Sequence, residues 1–357
     1  MKVLYDYQCF NQQFGGVSIF FAELWNRLPN DITPLLPHII SDNIYLSDMK
    51  GVNYYHFPKK RSKAKLNAAK FINQIISKYT LTKGNYDIFH PTFLNSYYVE
   101  SVPKGKIVIS TQHDFIYEKT ERPDSEVVKK RRLKQLKHSD IVVCVSNQTR
   151  DDLLHYYDFL DESQVKVIYQ GIKRTDVICL DKPLFEFPYI LYVGGRTTYK
   201  NFGRFITAFS KLDKSIHLVC TGKPFDKDEI IVLKKLGISE RCHQLFASEK
   251  DFDNLYCNAI AFIYPSTMEG FGLPTLDAFS AGCPAIISDI PCFKEVGGEA
   301  AIYFDPLDID SIYKTIDDTI SSNSTLQAMK KKGKERAKMF TWEKNAYEYS
   351  KLYKSLV

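Results

Sequence analysis

The chain has 357 residues, of which 44% are hydrophobic and 25% charged, and its formal net charge is +6. This length suits two ordinary domains, and the composition is the profile of a soluble globular protein. No apolar run approaches the roughly 20 residues of a membrane-spanning helix. The start, MKVLYDYQCF, lacks the continuous apolar core of a signal peptide, so we expect a cytoplasmic protein.

Short apolar runs alternate with helical patterns along the chain. The runs predict strands at residues 3–7, 86–90, 106–110, 141–146, 165–169, 189–193, 217–220, 260–264, 284–288 and 301–304. The central runs are apolar without alternation, which is typical of parallel strands covered on both faces. Helical patterns occupy most of the gaps, as at 18–28, 202–212, 251–258, 274–281 and 342–356. The predicted fold class is therefore α/β, with two doubly wound, mostly parallel sheets.

The two series of strands and helices join near residues 181–188. The sequence there, DKPLFEFP, contains two prolines and no periodicity, as a linker does. Two doubly wound domains that face a central cleft bind ligands at the carboxyl ends of their strands. Side chains directly after strands are therefore the candidates for function.

Residues 265–284, PSTMEGFGLPTLDAFSAGCP, are the most informative stretch. A glycine-rich turn that contains Glu269 follows a buried strand, and Pro274 then opens a helix with Asp277 one turn later. The free N–H groups and the dipole of a helix N-terminus favour phosphate, and the acids add acceptors for sugar hydroxyls. The stretch predicts a nucleotide-sugar site, although Asp277 also fits an ordinary acid near a helix start.

Two cations follow the strand that opens the second series. Gly194 and Gly195 permit a sharp turn, and Arg196 and Lys200 flank it. Both cations could face one diphosphate and stabilise it as it leaves a glycosyl carbon. The alternative is an exposed loop with ordinary surface cations.

The first series offers a glycine pair and a histidine. Gly15 and Gly16 precede a helix and would let the backbone approach a ligand closely. His113 follows the strand at 106–110 and could hydrogen-bond a sugar hydroxyl or a reacting oxygen, or be a structural loop histidine. No dinucleotide-binding glycine fingerprint is present.

The eight cysteines show no CxxC spacing, and Cys144 and Cys220 lie in apolar strands. Buried free thiols are therefore favoured over disulfides, and zinc is disfavoured by the same spacing.

Lysine and arginine cluster at residues 59–65, KKRSKAK, and 129–137, KKRRLKQLK. These runs are either solvated helix faces or surfaces for an anionic membrane or substrate, and nucleic acid is disfavoured because no aromatic-interleaved motif accompanies them. In the basic segment 125–137, Val128, Leu133 and Leu136 share a helical arc, which predicts a face that touches the inner leaflet if the acceptor is a lipid-linked glycan.

Segments along nearly the whole chain resemble the retaining glycosyltransferases of family 4, which have the GT-B fold. The resemblance is strongest over residues 189–305, and its order and spacing are specific for the family although not for the sugar. The version YVGGRTTYKNF is similar to a branch found in bacterial surface-polysaccharide assembly. The matching segments are GGVS at 15–18, TQHD at 111–114, VSNQTRDDL at 145–153, VIYQGI at 167–172, YVGGRTTYKNF at 192–202, YPSTMEGFGLPTLDAFSAGCPAIISD at 264–289, FDP at 304–306 and FTWEK at 340–344.

The resemblance implies three regions of the chain. Residues 1–182 would form an acceptor-side Rossmann-like domain, and residues 183–339 would form the donor domain that binds the nucleotide-sugar. A C-terminal helix within residues 340–357 would return to the first domain.

The resemblance also implies roles on the donor side. Glu269 falls on the glutamate that contacts the donor sugar, and Arg196 and Lys200 fall on the phosphate-binding cations. Asp277 stands where the family has a second glutamate on the ribose hydroxyls, which is a departure by one methylene.

Further roles follow for the glycine loop, the histidine and the backbone. Gly15 and Gly16 would lie near the diphosphate and acceptor, and His113 matches the histidine of the cleft. Backbone amides would bind sugar hydroxyls or phosphate at Phe271, Gly272 and Leu273.

The implied function is transfer of a hexose (mannose, glucose or similar) from a nucleoside-diphosphate sugar to a glycan or lipid-linked glycan, with retention. The resemblance requires neither a metal nor a cofactor beyond the donor. It places the enzyme in the cytoplasm, at the inner face of the membrane if the acceptor is lipid-linked. The alternatives are a GT-B phosphorylase or epimerase, and a non-catalytic nucleotide-sugar-binding subunit, which the aspartate at 277 invites.

Overall fold

The computed structural model describes residues 1–57, 62–172, 177, 179 and 182–357. The chain divides into two compact units. Unit 1 comprises Met1–Gly171 and Trp342–Val357, and unit 2 comprises Ile172–Thr341. The sequence boundary between residues 182 and 183 stays a prediction, and Asp181 of the predicted linker lies outside the described residues.

Unit 1 is built on a parallel sheet of six strands. In the part of the chain that is described, its elements are β1 (Lys2–Tyr5), α1 (Gly16–Arg27), β2 (Thr33–Leu35), β3 (Ile39–Ser41), β4 (Tyr54–His56), α2 (Lys63–Lys83), β5 (Ile88–His90), β6 (Ile107–Gln112), α3 (Ile116–Lys119), α4 (Ser125–Leu136), β7 (Ile141–Cys144), α5 (Asn147–Tyr156), β8 (Val165–Val167) and, at the C-terminus, α13 (Trp342–Leu356). The spatial order is β2-β1-β5-β6-β7-β8, and β3 pairs with β4 in a separate parallel ribbon. The order of the strands reverses between β1 and β5.

Unit 2 has a second parallel sheet of six strands. Its described elements are β9 (Tyr189–Tyr192), α6 (Phe202–Phe209), β10 (His217–Thr221), α7 (Lys227–Lys235), β11 (Cys242–Leu245), α8 (Glu249–Asn258), β12 (Ala261–Tyr264), α9 (Leu273–Ser280), β13 (Ala285–Ser288), α10 (Pro291–Gly297), β14 (Ala301–Phe304), α11 (Ile309–Ile320) and α12 (Asn323–Ala337). The spatial order β11-β10-β9-β12-β13-β14 is the doubly wound order of dinucleotide-binding sheets. Here the order reverses between β9 and β12.

The prediction of an α/β fold with two Rossmann-like units on parallel sheets is confirmed. Each of the ten predicted strands is present, shifted by at most two residues at either end. Four short strands were missed: β2, β3, β4 and β11. β2 and β11 lie at sheet edges and have no fully buried residue, and β3 and β4 form the separate ribbon, so none has the continuous apolar run of a central strand.

The last helix, α13, completes the core of unit 1. Trp342, Tyr349 and Tyr353 are buried against α1 and the sheet. The Tyr353 hydroxyl lies 3.0 Å from the Tyr5 hydroxyl and 2.7 Å from Nδ1 of His90. A buried polar network therefore joins the C-terminal helix to β1 and β5.

The network continues into β6. Nε2 of His90 lies 2.8 Å from Thr111 Oγ1, which is itself 2.8 Å from the Tyr349 hydroxyl. Burial, and next the nearby His113, lower the pKa of His90 to about 3, so its ring is neutral at pH 7.

Helix α4 departs from the prediction of a membrane-touching apolar arc. Leu136 is buried in the core of unit 1, and Leu133 packs against the same cluster. Arg132 is also buried, where it donates to Glu118 (3.0 Å) and to the Asp114 carbonyl (2.7 Å). The predicted arc is wrong for its two leucines, which face the core, while Val128 is half-buried and the neighbouring Val127 is exposed.

The prediction of free thiols is wrong for one pair of cysteines. Cys179 and Cys257 form a disulfide, and their Cα atoms lie 5.6 Å apart. The two are separated by 78 positions, so local spacing gave no sign of the pairing. The other six cysteines are free, as predicted, and Cys144 and Cys220 are buried.

No helix in the described ranges combines the length and apolarity needed to cross a bilayer.

The low pKa of His90 predicts that unit 1 becomes less stable as the pH falls. Below pH 6.5 the unfolded chain takes up a proton at this ring, whereas the folded chain does so only near pH 3. The free energy of unfolding should therefore fall as the pH falls through this range, by about 1.4 kcal/mol per pH unit from this group. Urea denaturation of the wild type and of His90→Gln at several pH values measures the effect. We expect a shallower pH dependence in the variant, and equal slopes would contradict the assignment.

Candidate functional site

The loops after β9 and β12 form the candidate site of unit 2. The chain leaves β9 toward one side of the sheet and β12 toward the other, because the order of the strands reverses between them. Such a reversal opens a crevice at the carboxyl ends of the two strands, where α/β sheets bind ligands. The residues predicted from the sequence on the donor side lie on these two loops or on the helix that follows β12.

The loop after β9 is fixed by its backbone. Gly194 has φ of +122°, which a glycine adopts without strain. Residues 198–200 form a short 3₁₀ turn, and Asn201 follows in the left-handed region with φ of 57°. The Asn201 side chain is buried and donates to the Pro306 carbonyl at 2.6 Å. This anchor determines where Lys200 points.

The two loops are joined by hydrogen bonds at the crevice. The backbone N–H of Thr267 donates to the Tyr199 carbonyl at 2.8 Å, and its hydroxyl lies 3.1 Å from the same oxygen. Since both bonds end on one carbonyl, the loop before Glu269 is held in a constant position against the loop that holds Lys200.

Lys200 and Glu269 meet directly. The Lys200 ammonium lies 2.5 Å from Oε1 of Glu269, and 15% and 11% of the respective side chains are exposed. Lys200 also donates to the Tyr264 hydroxyl at 3.2 Å. Burial and the neighbouring carboxylate hold the pKa of Tyr264 well above its ordinary value, so this hydroxyl stays protonated. The site thus presents an ammonium whose charge is balanced by one carboxylate.

Arg196 is held by other partners. Its Nε donates to Glu229 at 2.7 Å, and its Nη2 donates to the carbonyls of Lys223 and Pro224 at 2.7 and 2.9 Å. The guanidinium also lies 4.9 Å from the ring centre of Phe225. The structure therefore fixes Arg196 on the loop after β10, while Lys200 pairs with Glu269.

The start of α9 depends on one glycine. Gly272 has φ of +103°, and a Cβ added there would lie 2.8 Å from the Phe293 ring. Gly272 accepts from the N–H of Thr275 at 2.9 Å, and Pro274 occupies the first turn of the helix. The hydroxyls of Ser266 and Thr275 are buried and have no hydrogen-bond partner.

The other predicted positions lie around this turn. Phe271 is buried, Leu273 is half-buried, and Asp277 is exposed on α9. The Asp277 carboxylate contributes, after burial, to the raised pKa of Tyr256. The roles predicted for these residues stay predictions.

Unit 1 has a pocket at the corresponding reversal of its own sheet. The pocket is about 450 Å³ and is lined by the loop after β1 (Tyr7, Gln8, Cys9, Asn11, Gln12), the loop after β5 (Phe93, Asn95), α2 (Lys70, Gln74) and Arg131 of α4. Two cations and several amides around two aromatic rings suit a polar ligand with anionic character.

Asp6 ties the two loops of this pocket together. Its carboxylate accepts from the N–H and the hydroxyl of Thr92 at 2.9 and 2.6 Å, and from the Gln8 amide at 2.7 Å. Burial raises the pKa of Asp6 in spite of these bonds. The carboxylate acts as a structural cross-link beneath the pocket.

The glycine pair and His113 also lie in unit 1. Gly15 caps α1, and a Cβ there would meet the Gln12 amide, whereas a Cβ at Gly16 would meet open space. The His113 ring packs edge-to-face on Phe20 of α1 at 5.1 Å. Burial lowers the pKa of His113 to about 4, and its Nε2 is buried without a hydrogen-bond partner.

Sequence reasoning missed three supporting residues: Glu229, Tyr264 and Asp6. Glu229 had a local signal, since it closes a capping box with Asp226 at the start of α7. In the sequence, Tyr264 is recognisable only as the last residue of an apolar strand, and Asp6 only as a polar residue near the N-terminus. In the described residues, no group of three or more His, Cys, Asp or Glu side chains could hold a metal ion.

The fold and the two crevices define an α/β protein of two Rossmann-like units with an ion-paired lysine at a strand–helix junction. Two family models match it: "Glycosyl transferases group 1" over residues 182–336 and "Glycosyltransferase Family 4" over residues 15–175. Together these matches cover most of the chain, which belongs to the group 1 and family 4 glycosyltransferases of the GT-B fold.

Several individual proteins are similar to the chain. O-antigen chain mannosyltransferase B of Escherichia coli is 26% identical over 62% of this chain and 62% of its own length. O-antigen chain mannosyltransferase RfbU of Salmonella typhimurium is 30% identical over 52% of this chain and 54% of its own. Each match thus spans less than two thirds of the relative. The solved structure of Anabaena HepE with UDP and glucose has a TM-score of 0.76 at 12% identity, covering 99% of both chains.

Alanine substitutions at Gly272 and at Gly16 should differ strongly in their effect on the free energy of unfolding. Gly272→Ala should lower the free energy of unfolding by about 2–5 kcal/mol, because it combines a positive φ with a clash against Phe293. Gly16→Ala is the matched control, since its Cβ meets open space and a first helical position accepts alanine. Urea denaturation compares them. Equal losses of unfolding free energy in the two variants would contradict the importance of the positive φ and the close approach to Phe293 at Gly272.

Proposed function

We propose that this chain transfers a hexose, mannose first among the candidates, from a nucleoside-diphosphate sugar to a hydroxyl of a glycan or lipid-linked glycan. The observation that supports this most is the ion pair between Lys200 and Glu269, which lies where the strand order of unit 2 reverses. The pair joins a cation suited to phosphate with a carboxylate suited to sugar hydroxyls, beside the N-terminus of α9.

Binding of the donor would rearrange this pair. An incoming diphosphate competes with Glu269 for the Lys200 ammonium and offers it more negative charge. The carboxylate then has free lone pairs, which can accept hydrogen bonds from the hydroxyls of the sugar. The contact between Lys200 and Glu269 would thus be replaced by two contacts to the donor, and Tyr264 would keep the ammonium in place.

Arg196 would act as a preorganised cation. Its bonds to Glu229 and to two carbonyls fix the guanidinium before a ligand arrives, so little side-chain entropy is lost on binding. As the glycosyl–phosphate bond breaks, Arg196 and Lys200 would stabilise the charge that develops on the leaving diphosphate.

His113 would serve the transfer from unit 1. Its ring is neutral at pH 7, and the unpartnered Nε2 can donate to or accept from a sugar hydroxyl, depending on the tautomer. The pocket at β1 and β5 would hold the acceptor, whose hydroxyls suit Gln8, Asn11 and Asn95.

The stereochemistry and the sugar are parts of the same proposal. We propose retention of the anomeric configuration, with the leaving phosphate taking the proton of the acceptor hydroxyl and with no metal or further cofactor. Mannose is favoured because two relatives are O-antigen mannosyltransferases, and a nucleotide donor because HepE was solved with UDP and glucose. The product would belong to a bacterial surface polysaccharide.

Substitutions in the ion pair test the donor site. Lys200→Ala and Glu269→Gln should each lower kcat/KM by about 100-fold or more, since each removes a charge next to the reacting bond. The assay is release of nucleotide from a panel of GDP-, UDP- and dTDP-hexoses. Lys211→Ala, which breaks a surface ion pair with Asp310 in the same unit, should leave turnover within about twofold.

The outcomes separate the rival functions. Near-normal turnover by Lys200→Ala would remove Lys200 from the site. Turnover that needs inorganic phosphate instead of a nucleotide would indicate a phosphorylase. Nucleotide binding by the wild type with no turnover of any donor would indicate a binding subunit.

A further inference from the structure

The inner face of α2 is unusually polar. Asn73 and Ser77 are buried there between Ala69 and Leu81. The Asn73 amide pairs with the backbone of Ile40, accepting from its N–H at 2.8 Å and donating to its carbonyl at 3.0 Å. The helix is therefore fastened to β3 by hydrogen bonds as well as by apolar packing.

The outer face of α2 is apolar instead. Four large side chains are exposed there, and their exposed fractions range from 41% to 66%: Phe71, Ile72, Ile75 and Tyr79. Phe71, Ile75 and Tyr79 are spaced by four residues, so they form a stripe along one side of the helix. A helix whose outer face is more apolar than its inner face is typical of a surface that binds a partner.

Lysines accompany this apolar stripe. The 21 residues of α2 include Lys63, Lys65, Lys70, Lys78 and Lys83 and no aspartate or glutamate. In the sequence, Lys59, Lys60 and Arg61 come directly before the helix, outside the described residues. An apolar stripe on a helix whose charged residues are all positive fits an anionic surface that also has an apolar interior.

The positive charge continues onto α4. Lys70 of α2 and Arg131 of α4 line the same pocket, so the two helices border one surface of unit 1. Lys130, Arg131 and Lys134 are exposed on the outer face of α4. The proposed acceptor pocket therefore opens between the two basic helices.

We propose that the outer face of α2 lies on an anionic phospholipid membrane. The stripe of Phe71, Ile75 and Tyr79 would enter the headgroup region, and the lysines would pair with lipid phosphates. This contact extends the proposed function, because it would bring the pocket to the surface where a lipid-linked glycan is held. The contact itself needs neither donor nor turnover, so it can fail or hold independently of the transfer activity.

The experiment measures binding of the full chain to vesicles. We use phosphatidylcholine vesicles with and without about one third phosphatidylglycerol, at low and at roughly 0.5 M salt. The variant Phe71→Ser/Ile75→Ser removes two apolar side chains from the stripe. The matched control is Ile231→Ser/Phe246→Ser, which removes one isoleucine and one phenylalanine of similar exposure, 63% and 75%, from unit 2.

We expect the wild type and the control to sediment with anionic vesicles at low salt and the stripe variant to lose at least about tenfold in partition. Binding to neutral vesicles, and to anionic ones at high salt, should be much weaker. Thermal melting shows that the variant is folded, and analytical ultracentrifugation gives the oligomeric state of each protein.

Three results would overturn the proposal. Unchanged vesicle binding by the stripe variant would exclude the stripe as the contact. Equal binding to neutral and anionic vesicles would exclude the role of the lysines. A wild-type dimer that the stripe variant converts to a monomer, without vesicle binding by either, would assign the stripe to a second copy of the chain.

Discussion

The reversal of strand order in a parallel sheet is the constraint on which both candidate sites depend. Neighbouring strands whose connections leave in opposite directions cannot have their loops packed together, so a gap remains at their carboxyl ends. In unit 2, Lys200 and Glu269 lie at this gap. In unit 1, amides and cations lie at the corresponding gap, above the cross-link formed by Asp6. The two reversals thus place different side chains at the same point of the fold.

Within unit 2, charge is arranged as separate pairs. Lys200 is balanced by Glu269, and Arg196 is balanced by Glu229. These side chains are mostly buried, and an unpaired charge in such a place costs several kcal/mol. The pairing explains how two cations can lie in mostly buried places without destabilising the protein. The two cations are held differently, since Arg196 donates to a carboxylate and two carbonyls, whereas Lys200 pairs with one carboxylate and donates to the Tyr264 hydroxyl.

The central strands and the strand–turn–helix arrangement around Glu269 could be predicted from the sequence because their signals are local. Residues 260–264 are apolar throughout, and the turn at Glu269 follows them within a few positions, so strand, turn and helix were recognisable in one window. The partner of Arg196 was not, because Glu229 lies 33 positions away. The disulfide between Cys179 and Cys257 was missed for the same reason, because the two cysteines are 78 positions apart. The apolar arc of α4 was recognised, but periodicity does not say which side faces the core, and the buried Arg132 made the inner face look basic. In α2 the same ambiguity applies in reverse, because this helix has an apolar side that faces outward.

The position of α13 has a consequence for synthesis of the protein. Unit 2 begins at Ile172 and ends at Thr341, and these two residues pair as a parallel bridge, so this unit can close as soon as its own residues have left the ribosome. Unit 1 cannot, because Tyr5 and Tyr353, which share a hydrogen bond, are separated by 348 positions. Until the final helix emerges, the nascent first unit exposes the side of its core that Trp342, Tyr349 and Tyr353 will cover, with His90 and Thr111 open to water. The half that is made first is thus the half that matures last, because its core stays incomplete until residues 342–356 pack against it.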